Sequence, residues 1–322
     1  MAKILVIRFS SIGDIVLTTP VLRCLKIQLP GAEVHYLTKT TFMPVVENNP
    51  NINKVYSIES EVTEVAEQLK KEKYDFIADL HHNLRTMQVK KALNCKSASF
   101  PKLNIEKWLM VNFKINRLPA VHIVDRYFKT VEPLNVKNDG EGLEYYIPAC
   151  DEVAMNALPQ AHRNGYIAFV IGARHYTKQL PEHKIISICK KAGLPIVLLG
   201  GKEDAEKANR IEQAVGNKIY NACGKYNINQ SASLVKQAKK VITHDTGLMH
   251  IASAFKKDII SVWGNTIPEF GMYPYMQGKG SHIMEVNGLS CRPCSKLGYK
   301  ACPKKHFKCM EMQDEERIIN NL

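Results

Sequence analysis

The sequence predicts an α/β protein built from two doubly wound domains, each with a parallel sheet. Short, strongly apolar runs alternate with longer segments of helical spacing, and this alternation is typical of a parallel sheet with helices on both faces. It is interrupted near residues 143–163 and then begins again. The chain has 322 residues, enough for two domains with a core each. We therefore predict one domain over residues 1–155 and a second over residues 156–322.

The first half opens on a buried strand at residues 3–8. A polar loop leads from it into a helix over residues 15–28, whose apolar positions recur at helical spacing and which stops at Pro30 and Gly31. The other predicted elements of this half are strand 33–37, short helix 45–53, strand 54–58, helix 62–71 and strand 74–80.

The second half repeats the same alternation after a polar helix predicted between Pro148 and Pro159. Its predicted elements are strand 166–171, helix 181–192, strand 195–200, helix 203–215, strand 218–221, helix 230–239, strand 240–243 and strand 258–263. Ligands of open α/β sheets bind at the carboxyl ends of the strands. Polar motifs follow the predicted strands at those ends, at residues 10–14, 79–85, 172–178, 200–204 and 244–250.

The segment 243–252, which runs from a strand through a turn into a helix, is the strongest candidate for an anion site. Such a turn presents unpaired backbone N–H groups and the positive end of the helix dipole, and phosphate is the usual ligand there. Thr246 adds a hydroxyl, Gly247 allows close backbone approach, and His250 lies one turn further on. Asp245 would repel a phosphate, so it either caps the helix or accepts a hydrogen bond from a sugar hydroxyl. An ordinary capped helix would have the same pattern.

Asp14 stands at the start of a helix, in the loop Ser10-Ser11-Ile12-Gly13-Asp14. One interpretation is a helix cap. The other is a general base, because a carboxylate that a helix N-terminus keeps ionised can accept the proton of a hydroxyl nucleophile. The loop has one glycine where a dinucleotide-binding fingerprint needs three, which argues against that kind of site.

Further loops at the strand ends carry charged side chains. Arg174 and Lys178 are candidates to neutralise phosphate, while Glu203 and Asp204 either cap the next helix or bind the two hydroxyls of a ribose. The sequence contains no Asp-x-Asp, the pattern that usually holds a metal ion on a diphosphate. We therefore expect anion binding without a metal.

The chain contains nine cysteines and no recognisable secretory signal, so their roles have to be considered individually. Five are scattered and are expected to be buried reduced thiols. Cys291, Cys294, Cys302 and Cys309 form a CxxC-x7-C-x6-C cluster among six basic residues. The first pair has the spacing of zinc ligands. A structural zinc site is therefore one interpretation, and reduced thiols or a labile disulfide is the other.

The formal net charge of +13 points to an anionic partner. Residues 151–322 hold 24 basic and 15 acidic side chains, against 20 and 16 in residues 1–150. Long Lys/Arg runs with interleaved aromatic residues are lacking, so nucleic acid is not the expected partner. No apolar run approaches the length of a membrane span, and we expect a cytoplasmic location.

Four of the motifs, in this order, resemble those of glycosyltransferase family 9, the ADP-heptose:lipopolysaccharide heptosyltransferases. The resemblance extends over essentially the whole chain, and Leu180 stands where the family usually has tryptophan. The motifs are residues 4–14, residues 79–86, Lys178-Gln179-Leu180-Pro181, which is similar to the family's Lys-x-Trp-Pro, and His244-Asp245-Thr246-Gly247-Leu248-Met249-His250-Ile251-Ala252, the most specific of them.

The resemblance implies a GT-B fold, with two Rossmann-like domains and an intervening cleft. It also implies inverting, metal-independent transfer of heptose from ADP-heptose to the lipopolysaccharide inner core, with no cofactor required for catalysis. The first domain would bind an anionic lipid A–Kdo acceptor, the second would bind ADP-heptose, and the protein would be peripheral on the cytoplasmic face of the inner membrane. Asp14 would be the catalytic base. Acceptor candidates are Arg8, Ser10, Ser11, Arg85 and Arg126, and donor candidates are Lys178, Arg174, Glu203, Asp204, Asp245, Thr246, Gly247 and His250.

Two other functions remain open at this point. One is a different GT-B nucleotide-sugar enzyme, with another sugar donor or with epimerase activity. The other, less favoured, is a binding module in which the basic cysteine-rich segment contacts nucleic acid.

Overall fold

The computed structural model describes residues 2–322 and contains two compact α/β units. The first comprises the chain up to Lys102 together with Val121–Tyr146, and the second comprises Leu103–Ala120 together with Ile147–Leu322. Residues 103–120 therefore pack with the second unit although first-unit residues flank them on both sides, an arrangement that the sequence pattern did not indicate.

Eleven strands and twelve α-helices are found in the described part of the chain. The strands are β1 (Lys3–Ile7), β2 (Glu33–Lys39), β3 (Lys54–Ile58), β4 (Phe76–Asp79), β5 (Lys96–Ser99), β6 (Ile167–Val170), β7 (Ile196–Leu199), β8 (Ile219–Asn221), β9 (Lys240–His244), β10 (Ile259–Trp263) and β11 (His282–Glu285). The helices are α1 (Ile12–Val16), α2 (Thr19–Gln28), α3 (Ala66–Glu72), α4 (Leu84–Leu93), α5 (Asn104–Phe113), α6 (Ile123–Phe128), α7 (Glu182–Lys191), α8 (Ala205–Val215), α9 (Ile228–Gln237), α10 (Gly247–Ala254), α11 (Lys308–Glu311) and α12 (Glu315–Ile319).

Both sheets have the strand order of a doubly wound fold. The first is β3-β2-β1-β4-β5 and the second is β11-β10-β9-β6-β7-β8, and all neighbouring strands are parallel. In each sheet the order reverses beside the unit's first strand, between β1 and β4 and between β6 and β9. Ligands of such sheets bind outside the carboxyl ends at this reversal. The predicted α/β architecture with two parallel sheets is confirmed.

The second sheet is buried on both faces, as a parallel sheet must be. Alternate residues of its central strand enter different cores, because successive side chains of a strand point to opposite faces. Ile167 and Phe169 belong to one apolar cluster, and Ala168 and Val170 belong to the other. This packing anchors the loops that follow β6 and β9.

Three predicted helices differ from those observed. In place of the short helix expected over residues 45–53, the chain has a 3-10 helix over Thr40–Val45 followed by turns. The helix expected over residues 15–28 is divided into α1 and α2, because Pro20 has no N–H to donate, and the hydroxyl of Thr19 hydrogen-bonds the carbonyl of Val16 at 2.8 Å. The prediction of a polar helix between Pro148 and Pro159 was wrong. That segment holds short 3-10 helices, since the roughly ten residues bounded by the prolines are too few to form a stable α-helix.

Within residues 2–322, no helix is long and apolar enough to cross a membrane.

Candidate active site

Asp14 lies at the carboxyl end of β1 and is held by two neighbours. Its Oδ1 atom is 2.6 Å from Nη2 of Arg8, and its Oδ2 accepts hydrogen bonds from the backbone N–H and hydroxyl of Ser11. Burial alone would lower the pKa of Arg8, but the Asp14 charge raises it, so the guanidinium stays protonated. Asp14 is therefore a helix-capping carboxylate with a fixed cation beside it, and about a fifth of its side chain is exposed.

Arg8 connects the two strands at the reversal point of the first sheet. Its Nε donates to the carbonyl of Ser10 and its Nη1 donates to the carbonyl of Leu80, at 2.7 and 2.6 Å. Because β1 and β4 are adjacent, with Ile7 opposite Asp79, the loops after both strands meet here. The fold thus brings Arg8, Ser10, Ser11 and Asp14 together.

The loop after β4 is organised by a buried carboxylate. Asp79 accepts hydrogen bonds from the backbone of His81 and His82 and from the Ser99 hydroxyl, and Lys90 lies 3.1 Å away. Although burial opposes ionisation, these donors lower the pKa of Asp79. Asp79 therefore holds the backbone of this loop in place through these hydrogen bonds.

His81 is a candidate that the sequence left without a role. Burial, together with the Arg8 charge, lowers its pKa to about 3, so the imidazole is neutral at physiological pH. Its ring packs edge-on against Phe9, beside the Arg8–Asp14 pair. The only sequence signal for it was its position in the motif after β4.

The two remaining arginines predicted for the acceptor are placed differently. Arg85, in the first turn of α4, is partly exposed and donates from Nε to the carbonyl of Ser60 at 2.9 Å. Arg126 lies in α6 and is buried, and this burial lowers its pKa. Of the two, Arg85 is the more accessible cation.

In the second unit, Lys178 and Asp245 form a close ion pair. Nζ of Lys178 is 2.5 Å from Oδ2 of Asp245, and the Thr266 hydroxyl donates to the same oxygen at 3.0 Å. The pair forms because β6 and β9 are adjacent at the reversal point of the second sheet. Asp245 therefore does not cap the following helix; its charge is balanced by Lys178.

Helix α10 begins directly behind this pair. Its N-cap is Thr246, in extended conformation, and among the described side chains none caps its first turn. Gly247 is the first helical residue, and His250 is buried one turn later. Backbone N–H groups at the start of α10 and the Lys178 ammonium thus lie close together, the arrangement predicted for an anion site.

His244 fixes the loop that carries Lys178. It is fully buried, and its Nε2 accepts a hydrogen bond from the backbone N–H of Leu180 at 3.0 Å. Burial, together with the nearby Lys207 charge, lowers its pKa to about 3. The neutral imidazole therefore serves as a buried acceptor, a role that its position in the signature motif did not reveal.

Replacing His244 with glutamine is expected to flatten the pH dependence of stability. Below pH 6.5, the usual pKa of histidine, the unfolded chain binds a proton that folded His244 does not bind. With decreasing pH, His244 should therefore lower the free energy of unfolding by up to about 1.4 kcal/mol per pH unit, and the variant lacks this contribution. Urea unfolding between about pH 7 and pH 5 measures this slope. His81 titrates equally in both proteins, so equal slopes would contradict the assignment.

Glu203 and Asp204 follow β7 but are not equivalent. Asp204 is 6% exposed, accepts from the N–H of Gly201 at 2.9 Å and has a pKa raised by burial. A Cβ at Gly172 would lie only 2.1 Å from its carboxylate, so glycine is needed there. Glu203 is exposed, and so is Arg174 in the loop after β6. Glu203 is thus the more accessible of the two acids.

Lys207 is a further basic group that the sequence analysis did not single out. Its Nζ donates to the carbonyl of Leu180 at 3.1 Å, and its burial lowers its pKa. It lies three residues after Asp204, in the first turn of α8, and this spacing was the only signal for it.

The Cys-Lys segment (residues 289–309) packs against the loops of the Lys178–Asp245 pair. Arg292 donates to the carbonyls of Gly264 and Thr266, at 2.7 and 3.0 Å, and its Nη2 is 2.6 Å from Glu285. The backbone carbonyl of Tyr299 accepts a hydrogen bond from the N–H of Thr177, the residue before Lys178, and the N–H of Tyr299 donates to the Thr177 hydroxyl. The segment thus braces both loops, although it is distant from them in sequence.

Replacing Arg292 with alanine is expected to lower the free energy of unfolding by about 2–3 kcal/mol, because Glu285 loses its counter-ion and two carbonyls lose their donor. ADP should also bind more weakly, since Thr266 contacts Asp245. Urea unfolding and calorimetric titration with ADP measure the two effects. Arg210→Ala is the matched control, because Arg210 pairs with two glutamates on the exposed surface and should matter little. Equal effects of both substitutions would contradict the role of Arg292 in holding these loops.

The cysteines of this segment lie near one another without forming a close cluster. Sγ of Cys291 is 3.8 Å from Nε2 of His306. Within residues 2–322, no three His, Cys, Asp or Glu side chains are close enough to hold a metal ion, and all nine cysteines are free. The structural zinc site stays a prediction.

Comparison with known proteins gives one consistent answer. The family model described as glycosyltransferase family 9 (heptosyltransferase) matches residues 62–302. Lipooligosaccharide heptosyltransferase 2 of Haemophilus influenzae is 22% identical, over 89% of each chain, and lipopolysaccharide heptosyltransferase 3 of Escherichia coli is 26% identical, over 79% of this chain and 81% of the relative.

Solved structures agree in fold. A family 9 glycosyltransferase from Veillonella parvula superposes with a TM-score of 0.80 at 22% identity, covering 99% of this chain and 96% of the other. ADP-heptose lps heptosyltransferase II of E. coli gives 0.74 at 19% identity, covering 99% and 97%. The expected GT-B fold and glycosyltransferase activity are confirmed. The chain belongs to glycosyltransferase family 9, the heptosyltransferases.

Proposed function

We propose that this protein transfers heptose from ADP-heptose to a sugar of the lipopolysaccharide inner core. The observation that carries the proposal is the Lys178–Asp245 pair in front of α10, which offers a cation and backbone N–H groups to a diphosphate. The names of the relatives supply the sugar and the acceptor, since they are lipooligosaccharide and lipopolysaccharide heptosyltransferases.

The donor groups divide by chemistry. Lys178, the amides of Thr246 and Gly247, and His250 hold the diphosphate, with Arg174 adding a flexible cation. The exposed Glu203 binds the ribose hydroxyls, while the buried Asp204 supports its turn. Asp245, neutralised by Lys178, accepts a hydrogen bond from the donor sugar.

The reaction is a direct displacement at the anomeric carbon. An acceptor hydroxyl oxygen bonds to that carbon as the bond to the diphosphate oxygen breaks, and ADP leaves with the electron pair. The Asp14 carboxylate takes the hydroxyl proton. Because attack occurs opposite the leaving group, the configuration inverts. Lys178 and the α10 amides stabilise the charge that grows on the diphosphate, which makes a metal ion unnecessary.

The acceptor is an anionic glycolipid of the lipid A–Kdo type. Arg8, Ser10 and Ser11 surround Asp14 and can orient the attacking hydroxyl, while the more accessible Arg85 suits a carboxylate or phosphate of the acceptor. Arg126 adds positive charge from within the unit. Such an acceptor places the enzyme at the cytoplasmic face of the inner membrane, as a peripheral protein.

Nucleotide preference and metal dependence test the proposal. ADP should stabilise the protein against thermal unfolding more than UDP or GDP does. At a hundredfold excess over its Kd, ADP should raise the free energy of unfolding by about 2.7 kcal/mol. Transfer from ADP-heptose to a delipidated inner-core acceptor should then proceed in EDTA. Preference for UDP or GDP would indicate another nucleotide-sugar enzyme, and loss of activity in EDTA with recovery in Mg²⁺ would refute the metal-free mechanism.

A further inference from the structure

Helix α5 exposes large apolar side chains to an unusual degree. None of its ten described residues is buried. Ile105 and Trp108, three positions apart on one face, are 72% and 50% exposed, and Phe113 and Ile115 at its end are 58% and 47% exposed. The rings of Trp108 and Phe113 contact each other edge to face at 5.2 Å. A contiguous patch of this kind marks an interaction surface.

The opposite side of α5 packs against other parts of the second unit, to which the helix belongs. Met110 lines a small cavity together with Ile267 and Pro293, and Nζ of Lys114 donates to the carbonyl of Pro293 at 2.6 Å. The helix is therefore anchored by one side, and its outward aromatic face is held in place.

The Cys-Lys segment lies directly beside this face and is strongly basic. It contains no acidic residue, and its five lysines are exposed. Lys296 lines one shallow depression with Ile105 and Trp108, which joins the two surfaces. The exposed side chains Leu297 and Tyr299 add apolar area between the lysines. The lysines are Lys296, Lys300, Lys304, Lys305 and Lys308.

We propose that α5 and the Cys-Lys segment form one docking surface for an anionic lipid bilayer. Trp and Phe are the residues that enter the boundary between headgroups and acyl chains, and surrounding lysines are attracted to anionic headgroups. A protein partner buried here would have to desolvate the lysines, whereas at a membrane they stay in water among the phosphates. The inference rests on the proposed function only in that its acceptor lies in a membrane.

Intrinsic fluorescence can observe this docking directly. The chain has two tryptophans, and Trp263 is 1% exposed in β10, so a change on docking reports Trp108. Vesicles of phosphatidylcholine and phosphatidylglycerol should shift its emission to shorter wavelength, and lipids brominated on the acyl chain should quench it. Vesicles of phosphatidylcholine alone should have much less effect. Trp108→Phe should keep binding but lose the signal.

Matched substitutions separate the two parts of the surface. Changing Lys300, Lys304 and Lys305 to glutamine should weaken vesicle binding roughly 100-fold at low salt, about fivefold for each charge. Trp108→Ala with Phe113→Ala should abolish binding to the same vesicles in a sedimentation assay. Two control variants should bind the vesicles normally. One removes three lysine charges elsewhere on the surface, and the other removes two exposed apolar side chains elsewhere. These controls are Lys71→Gln, Lys91→Gln and Lys190→Gln together, and Ile27→Ala with Leu194→Ala.

The outcomes separate docking from chemistry. Turnover on a delipidated acceptor should stay unchanged in the surface variants, while turnover on acceptor in vesicles should fall. Vesicle binding is measured without donor or acceptor, so a failure of the proposed reaction leaves this test intact. Unaltered binding by both surface variants would overturn the proposal. So would an emission shift that depends on protein concentration without lipid, which would assign the surface to a second copy of the chain.

Discussion

Replacing Asp14 with asparagine is expected to lower turnover by about 10²–10⁴-fold, the usual contribution of a general base. The amide oxygen can still accept the N–H of Ser11, so the helix start survives. Arg8 keeps its bonds to the carbonyls of Ser10 and Leu80 but loses its counter-ion. Stability should therefore fall somewhat, while ADP binding in the second unit is retained. Steady-state kinetics on a soluble acceptor, with ADP titration alongside, measure both.

The control for this experiment is Asp314→Asn. Asp314 caps α12 by accepting from the N–H of Arg317, and it is exposed in the second unit. The same acid-to-amide change there should leave turnover intact. If Asp14→Asn is less stable yet turns over within a few-fold of the unmodified enzyme, Asp14 acts as a cap and as the partner of Arg8 alone.

Replacing Lys178 with alanine is expected to lower kcat/KM by about 10²–10³-fold. In the proposed reaction, the ammonium contacts the diphosphate in the ground state and stabilises the negative charge that grows as ADP leaves. Its loss also leaves Asp245 without its neutralising partner, in front of the anion site. ADP affinity and transfer should therefore decrease together. Lys190→Ala, on the exposed last turn of α7, is the control and should change neither.

A double-mutant cycle separates the two effects of Lys178. In the Lys178→Ala background, Asp245→Asn should restore ADP affinity by about tenfold, because contacting residues typically couple by 0.5–3 kcal/mol. ADP is used rather than ADP-heptose so that contacts of Asp245 with the sugar do not enter. Additive losses would show that the Asp245 charge does not face the diphosphate.

Most of the sheet architecture could be predicted from the sequence. Parallel strands buried on both faces are short apolar runs, and nearly all those of the two sheets stood out for this reason. Two of the four edge strands were missed, because β5 (Lys-Ser-Ala-Ser) is polar and β11 lies in a segment without clear periodicity. Helix α5 was missed as well, since Glu106, Lys107 and Asn112 interrupt its apolar residues, which form no single stripe at helical spacing.

The motifs of the candidate site were recognisable, but their contacts were not. The Lys178–Asp245 pair joins residues from loops far apart in sequence, and it explains how a carboxylate can stand at an anion site. Equally, the Cys-Lys segment looked remote from the other motifs, whereas Arg292 and Tyr299 brace the loops on either side of that pair.

By itself, the sequence determined the fold class, the family and the set of candidate side chains for the site, because apolar periodicity and local turn chemistry are properties of neighbouring residues. Only the tertiary structure decided which of these side chains meet. Strand order places the loops of β1 and β4, and of β6 and β9, side by side, and burial then makes His81 and His244 neutral and turns Asp79 and Asp204 into supports. Strand order and burial both depend on contacts between distant parts of the chain, so no local pattern could supply them.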